Sequence, residues 1–535
     1  NRALRELVLK FPCSDEHWRL ARYLEYHEEK YRLLDTSLYE YLKMKADLRL
    51  GRTRVSGVQW LALSLDIPYE VRVSDAVRAA LLTNTEKITA DHLYDGLNTQ
   101  DFDSRERLAT IFQAARLLSR AGYSSIAMRH YEEVIGSRNL TDEIRTEEGQ
   151  RFLLAYFQTA IRLDFDGGLD SIMEHADSIV FPELFDRLFQ DMLSRLVREE
   201  RWAALSDLYT EAGAYWTEGQ RARLAWILAE GSRVGREVKL DRLDLLREAA
   251  HQDSNAYYSA VAQVALGKSL KLPLAEVQQE ESLVQYEYPL QEYESLAESL
   301  YAARLTRLAY MVAREHPEAF DANQLAAFAK VHYEDGQYIL GMRLLDRLGR
   351  VSDDRRSISQ ASLQRYPLAF REEMQPVLDR YDLYPPVFIA LVREESYFDP
   401  GISSHVGANG LAQLMPDTAA DMARLLRLKN PDLSDPATNL SIGGLYLYRL
   451  LQRFEIPVLG LIAYNAGQGR VSRWRREKWA SSSIILHEGL PYEETRHYIR
   501  KIFVTALHYG YLYHDASPGE IFSYLFSDIQ SHNLE

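Results

Sequence analysis

The sequence predicts an all-α protein, on three observations. Its 535 residues include only 27 Gly and 17 Pro, so hairpin turns are scarce. Leu, Ala, Arg and Glu, which lose little on entering a helix, are abundant throughout. Apolar residues recur at i, i+3, i+4 and i+7, the one-sided stripe of a helix packed on a core. A hydrophobic share of 46% and a charged share of 26% are globular values and argue against disorder. One core does not serve a chain of this length, and two or three domains are expected.

From residue 1 to about 360, periodic segments of roughly 12 to 18 residues alternate with short polar or Gly-containing breaks. Three places share a layout: Gly122-Tyr123 leading to Ala127 and Tyr131, Arg201-Trp202 leading to Leu205 and Tyr209, and Gln337-Tyr338 leading to Gly341 and Leu345. Each sets an aromatic just inside a helix, a small or apolar residue one turn on, and another a turn later. This resembles an α-solenoid, whose units bury their faces only by stacking on neighbours. These aromatics are read first as core residues of stacked helices, with sugar stacking as the alternative for any one of them. The stretch 271–292, with Pro273, Gln278, Gln279, Tyr286 and Pro289, is the weakest in helical character, and a boundary is placed near its end. The expected division is a helical superhelix over 1–294, a helical linker domain over 295–364 and a third domain over 365–535.

The net charge is −15, and from Arg365 onward 17 Lys+Arg stand against 20 Asp+Glu, so most of the excess lies upstream. An acidic surface is a poor match to nucleic acid, whose phosphates need a basic stripe. Cys13 is the single cysteine, which leaves no intrachain disulfide and no thiolate metal cluster. Apolar runs such as 387–392 and 458–464 are far shorter than the ~18 residues of a spanning helix, so a soluble chain is expected. Nothing at Asn1 reads as a signal peptide, but a sequence that starts after a cleavage site would show none. The N-x-S/T triplets at Asn139 and Asn439 are of a kind that arises often by chance.

The chemistry is concentrated in the last third. Residues 384–400 read YPPVFIALVREESYFDP, with Pro385-Pro386 opening a helix and Asp399-Pro400 closing it. Phe388, Leu391 and Val392 form a stripe that Glu395 continues, whereas Glu394 is turned about 100° toward the polar side. A carboxyl group ending an apolar stripe is where desolvation raises a pKa, as a general acid near neutral pH requires. On this helix alone, Glu395 could equally pair with Arg393 or Arg496.

Further motifs extend the pattern. Glu395-Ser396-x-Phe398-x-Pro400 is followed by Ser404-x-x-Gly407-Ala408-x-Gly410-Leu411-x-Gln413-Leu414-Met415-Pro416-x-Thr418-Ala419. Then come Asp435-Pro436-x-x-Asn439-Leu440-x-x-Gly443, Ala463-Tyr464-Asn465-Ala466-Gly467-x-Gly469-Arg470-Val471-x-x-Trp474, and Glu494-Thr495-Arg496-x-Tyr498. Together these five ordered blocks resemble the soluble lytic transglycosylases, relatives of goose-type lysozyme that cut bacterial peptidoglycan. One departure is visible: the family usually has Met after Gly-Leu, where this chain has Ala412, a change expected to widen or soften the groove wall.

The resemblance implies a lysozyme-like catalytic domain over 365–535, with Glu395 as the catalytic acid. Substrate contacts are implied for Ser404, Gln413, Met415, Thr418, Tyr464, Asn465 and Glu494. By type, Ser404 and Gln413 offer a hydroxyl and an amide to sugars, and Met415 can pack under a ring or in the core. Gly467 reads as a helix C-cap that sets Tyr464 and Asn465 at a helix end facing the cleft. The Tyr464 hydroxyl is expected close to the carboxylate, and Glu494 is expected on the muramyl sugar or, alternatively, in a surface pair with Arg496 or Arg500.

No second carboxylate stands out in the matched blocks. The resemblance therefore implies that Glu395 acts twice on the β-1,4 bond between N-acetylmuramic acid and N-acetylglucosamine, as acid and then as base, leaving a 1,6-anhydromuramyl end. A hydrolytic goose-type muramidase and a catalytically inactive peptidoglycan-binding scaffold are the alternatives. The implied partner is the peptidoglycan strand and the implied compartment the periplasm; a ring-shaped scaffold is a family trait that the sequence does not itself show. No cofactor and no metal are expected, since there is no HExxH motif, no cysteine cluster and no plausible His/Asp ligand set near Glu395.

Overall fold

The computed structural model describes residues 51–62, 69–97, 102–136, 141–251, 256–268, 290–351 and 355–528, with Tyr41, Met44, Lys45, Asp47 and Leu48. Cys13, Asn139 and nearly all of the stretch 271–292 lie outside them. Among the described residues there is no β-strand, and two isolated antiparallel bridges join Ser403 to Asn409 and Asn409 to Leu414. The fold class is all-α, as the helical periodicity predicts. No helix among the described residues is long and apolar enough to cross a membrane.

The chain divides into two compact units, Asn1–Leu188 with Thr210–Thr217, and Phe189–Tyr209 with Glu218–Glu535. In the first, consecutive helices pack on one another, among them Ser104–Arg120, Ser124–Ile135, Glu147–Leu163 and Phe165–Glu174. Side chains set their starts: Asp103 caps Glu106 in a capping box, Thr146 caps Gly149, and Asp164 caps Asp166 and Gly167. Their apolar stripes meet at Leu108, Ile111, Tyr131, Phe152 and Phe157, with the Tyr131 and Phe152 rings edge to face at 5.1 Å. Of the three repeated layouts, Ala127, Tyr131, Trp202, Leu205, Gly341 and Leu345 are buried. Tyr123 departs from the core reading: it sits at the helix N-cap, 42% exposed, with Lys87 over its ring.

The second unit contains α1 (Asp186–Arg198, from Phe189 on), α2 (Glu218–Arg233) and α3 (Ala256–Ala265). A separate apolar cluster running from Ala297 to Ala361 includes α4 (Tyr338–Leu345). Six later helices carry the site: α5 (Pro385–Ser396), α6 (Pro416–Leu426), α7 (Pro436–Phe454), α8 (Pro457–Ala466), α9 (Ser483–Gly489) and α10 (Glu493–Tyr509). The first four of these open on proline, whose fixed φ suits the first helical turn and whose missing N–H is not needed there.

Helix α5 packs along α10 and is buried from Pro386 through Arg393. Phe388, Leu391 and Val392 are each 0% exposed, and burial of such side chains stabilises the fold by about 1.5–3 kcal/mol apiece. The helix closes at Ser396, because Tyr397 and Phe398 take left-handed backbone at φ 50° and 60°. That is earlier than the Asp399-Pro400 stop read from the sequence.

A buried ion cluster ties α9 to α2, α3 and α10. Arg223 bonds Glu488 at 2.9 Å with both side chains fully buried, Arg500 lies 3.6 Å from the same carboxylate, and the Tyr258 hydroxyl donates to it at 3.2 Å. Burial alone would raise the Glu488 carboxyl, but Arg223 and Arg500 outweigh it and hold the group at about 2.

Candidate active site

Glu395 lies in the last turn of α5, three and four residues beyond Val392 and Leu391, and is partly buried. Burial pushes its carboxyl up to about 7; the Tyr498 hydroxyl, donating to Oε1 at 2.7 Å, works against that, and the charges of Glu494 and Glu394 add to it. Near neutral pH the group therefore exists in both protonation states, the condition for giving and taking a proton. The pairing with Arg393 or Arg496 is not what the fold builds. Arg393 bonds Glu394, while Arg496 bonds Asp191 at 3.2 Å and the Leu490 carbonyl.

Glu394 corrects the helical-wheel reading. Instead of facing a polar side, it forms a buried ion pair with Arg393 and accepts the Thr505 hydroxyl at 2.7 Å. The cause is that α10 and the segment around Tyr366 pack on α5 too, so Glu394 meets Arg393 and Thr505 there instead of a freely solvated face. The Arg393 guanidinium lies against the Tyr366 and Tyr397 rings at 4.8 and 5.3 Å.

The loop between α5 and α6 is held by its own polar side chains. Ser404 Oγ accepts from the Ala408 N–H at 2.9 Å, closing a turn in which Gly407 N–H donates to Ser404 O at 3.0 Å. Gln413 stands at φ 44°, and its Nε2 donates to the carbonyls of Gly410 and Ile402 at 2.9 and 3.2 Å. Gly410 sits at φ +74°, where a Cβ would lie 2.2 Å from Asn439 Nδ2 and 2.3 Å from Leu433 O, so only glycine fits. Asn439, fully buried on α7, takes the Ala412 N–H at 2.8 Å and donates to Leu433 O and Asn409 O.

Ala412 does not line the groove as expected. It is 0% exposed in a core with Leu414, Ala419, Met422, Ala423 and Ile442, because its methyl is directed at Gly443 on α7. Its carbonyl accepts the Tyr464 hydroxyl at 2.8 Å. Tyr464 also feels the Glu395 charge: burial first, then that charge, raises its phenol well above the usual value.

Asn465 Oδ1 accepts the Thr495 hydroxyl at 2.7 Å, joining the end of α8 to the start of α10, and Gly467 at φ 89° caps α8. Met415 is 44% exposed at the N-cap of α6, with Thr418 partly buried in the first turn behind it. Glu494 is exposed in the first turn of α10, one turn before Tyr498. It is not paired with Arg500, which faces Glu488 and Gln190.

The structure thus gathers Glu395, Tyr464 and Glu494 around one electrostatic centre, while Ser404 and Gln413 hold the loop beside it. The sequence assigns Tyr498 no role, although it lies at i+4 from Glu494 inside the last motif. Among the described residues no group of three or more His, Cys, Asp or Glu is placed to hold a metal.

Parts of the chain are similar to known proteins. Residues 374–485 match the family model described as the transglycosylase SLT domain. The soluble lytic murein transglycosylase of Escherichia coli (strain K12) is 32% identical over 158 residues, which is 28% of this chain and 24% of that protein. That of Salmonella typhimurium is 32% identical over 154 residues, 27% of this chain and 24% of its own. The chain therefore matches about a quarter of the length of these relatives.

In three dimensions it resembles an inactive mutant of lytic transglycosylase Slt from Pseudomonas aeruginosa, with a TM-score of 0.52, 20% identity and coverage of 97% of this chain and 90% of that one. It also resembles the 70-kDa soluble lytic transglycosylase solved with bulgecin A, with a TM-score of 0.55, 18% identity and coverage of 91% and 74%. At these identities the likeness concerns the fold. Residues 374–485, which contain the ordered motifs from Glu395 to Trp474, are therefore similar to a transglycosylase SLT domain.

Proposed function

We propose that the chain is a peptidoglycan lytic transglycosylase that cleaves the β-1,4 bond between N-acetylmuramic acid and N-acetylglucosamine without consuming water. The observation that carries this reading is Glu395, a single carboxyl raised to about 7 with its Oε1 engaged by Tyr498. With Oε1 accepting, the proton resides on Oε2 and is given to the glycosidic oxygen as the bond to C1 breaks. The substrate acetamide stabilises the cation that develops. Glu395, now ionised, takes the proton of the C6 hydroxyl as that oxygen closes on C1, which returns the acid to its starting state and leaves a 1,6-anhydromuramyl end. Such proton transfers contribute about 10² to 10⁴ in rate.

Exposed Met415 and Glu494, with Thr418, Tyr464 and Asn465, are the residues we assign to substrate, and Ser404 and Gln413 to the loop that frames it. Glu394 cannot serve as a second acid while locked to Arg393 and Thr505, which supports one glutamate acting twice. Peptidoglycan lies outside the cytoplasmic membrane, so the proposed compartment is the periplasm. Mass spectrometry of sacculus digests tests the reading: the wild type should release anhydro ends one water lighter than reducing ends, and Glu395→Gln should release almost none. Reducing ends from the wild type would favour hydrolysis, and undiminished release by Glu395→Gln would remove the assignment.

A further inference from the structure

The α5–α10 pair has a second face. Glu395 and Tyr498 bond each other, whereas Arg393, Glu394 and Tyr397 of α5 and Lys501, Val504 and Thr505 of α10 line a separate open cavity of about 500 Å³ within the second unit. Helix α4 supplies another wall through Ile339, Met342 and Arg343.

The charge of this cavity is opposite to that of the chain. Arg343, Arg365, Arg393, Arg500 and Lys501 face it against the carboxylates of Asp346 and Glu394, in a protein whose net charge is −15. Two cations are matched locally, Arg365 by Asp346 at 2.6 Å and Arg393 by Glu394. Arg500 shares Glu488 with Arg223. Arg343 and Lys501 are exposed and in no ion pair among the described residues. Arg393 is only 7% exposed, is steadied between two tyrosine rings, and has a buried Nε–H without a hydrogen-bond partner. A buried guanidinium N–H in that condition is costly unless a ligand completes it.

The rest of the wall distinguishes among anions. Tyr397, 37% exposed, offers an aromatic ring, and half-buried Ile339 and Val504 offer apolar surface. Half-exposed Asp346 can receive an ammonium group. A bare phosphate would use the cations and nothing else, whereas a short peptide with several carboxylates and an amine would use every part.

We propose that this cavity binds the carboxylates of a short peptide of net negative charge, such as the stem peptides attached to the glycan strands. The choice of stem peptides rests on the function proposed above. One side of the α5–α10 pair would then meet the sugar chain and the other a peptide branch, so that substrate carrying peptides is held at two places.

Isothermal titration of the full chain with a synthetic, sugar-free stem peptide of net negative charge tests this, with its amidated analogue and inorganic phosphate as controls. The peptide should bind the wild type and Glu395→Gln alike, and about tenfold or more weaker to Arg343→Ala/Lys501→Ala, whose altered side chains are exposed and do not carry the fold. The amidated analogue and phosphate should bind the wild type about tenfold or more weaker than the peptide. The double variant should cut peptide-free glycan at the wild-type rate. Equal peptide binding by the double variant, equal binding of the amidated analogue, or phosphate binding as tight as the peptide each overturns the proposal. Because Glu395→Gln is titrated as well, failure of the cleavage reading leaves this result intact and distinguishable.

Discussion

Replacing Glu395 by glutamine should make the protein more stable at alkaline pH and leave its stability unchanged at acid pH. The folded protein raises this carboxyl from an ordinary 4.5 to about 7, chiefly by burial. A raised acid favours the folded state fully when protonated, below about pH 4.5, and loses that contribution as pH climbs through about 7. The loss is about 1.4 kcal/mol per pH unit across that interval, or about 3 kcal/mol once the group is fully ionised. Glutamine keeps the shape and carries no charge, so it avoids the loss. Urea unfolding of wild type and Glu395→Gln at pH 4 and pH 8.5 measures the difference. The variant should be more stable by about 2–3 kcal/mol at the higher pH and within ~0.5 kcal/mol at the lower. The same increment at both values, or a variant less stable at pH 8.5, would refute the account of a desolvated acid.

Tyr498→Phe removes a hydrogen bond that favours the ionised carboxylate, worth about 1.5 kcal/mol or more, so the alkaline limb of kcat/KM against pH should move up by about one pH unit; an unmoved limb would show that the bond does not tune the acid. Glu488→Ala strands Arg223 in the interior and should cost about 3–5 kcal/mol in urea unfolding, against near-zero for a surface pair such as Arg247–Asp244. Gly410→Ala forces a Cβ into Asn439 at a left-handed backbone position and should lower the thermal midpoint and the cleavage rate together, whereas Gly469→Ala, with open space around it, should do neither.

The helical class was legible because apolar spacing and low Gly and Pro content are local properties; the stripe of Phe388, Leu391 and Val392 marks Glu395 as a covered carboxyl, but on that helix alone a pair with Arg393 or Arg496 fits as well, and it is the ordered motifs downstream that single it out as the acid. Glu394 was misjudged for a tertiary reason: a wheel assigns one face to solvent, but α5 is covered on several sides. Tyr498 is 103 positions from the carboxylate it bonds, and no local pattern carries that distance. For Ser404 and Gln413 the sequence shows what a hydroxyl and an amide can offer a sugar, and not the loop bonds that they also make. A small hydroxyl or amide beside two glycines often bonds its own backbone first, and that rule would have found their role in the loop. The motif puts Ala412 in the loop and so predicts groove wall, while the direction of its methyl, toward Gly443, depends on where α7 lies.

The stretch that matches the family model stops at residue 485, inside α9 and before α10 begins. A fragment trimmed to those limits would lose the phenol that touches Glu395 and the whole helix laid beside α5. Extending it through α10 restores these but brings Glu488 without Arg223, which lies 265 positions earlier on α2. Transplanting the cutting machinery into another protein would therefore require carrying α2 along or replacing Glu488 with an uncharged, well-packed residue.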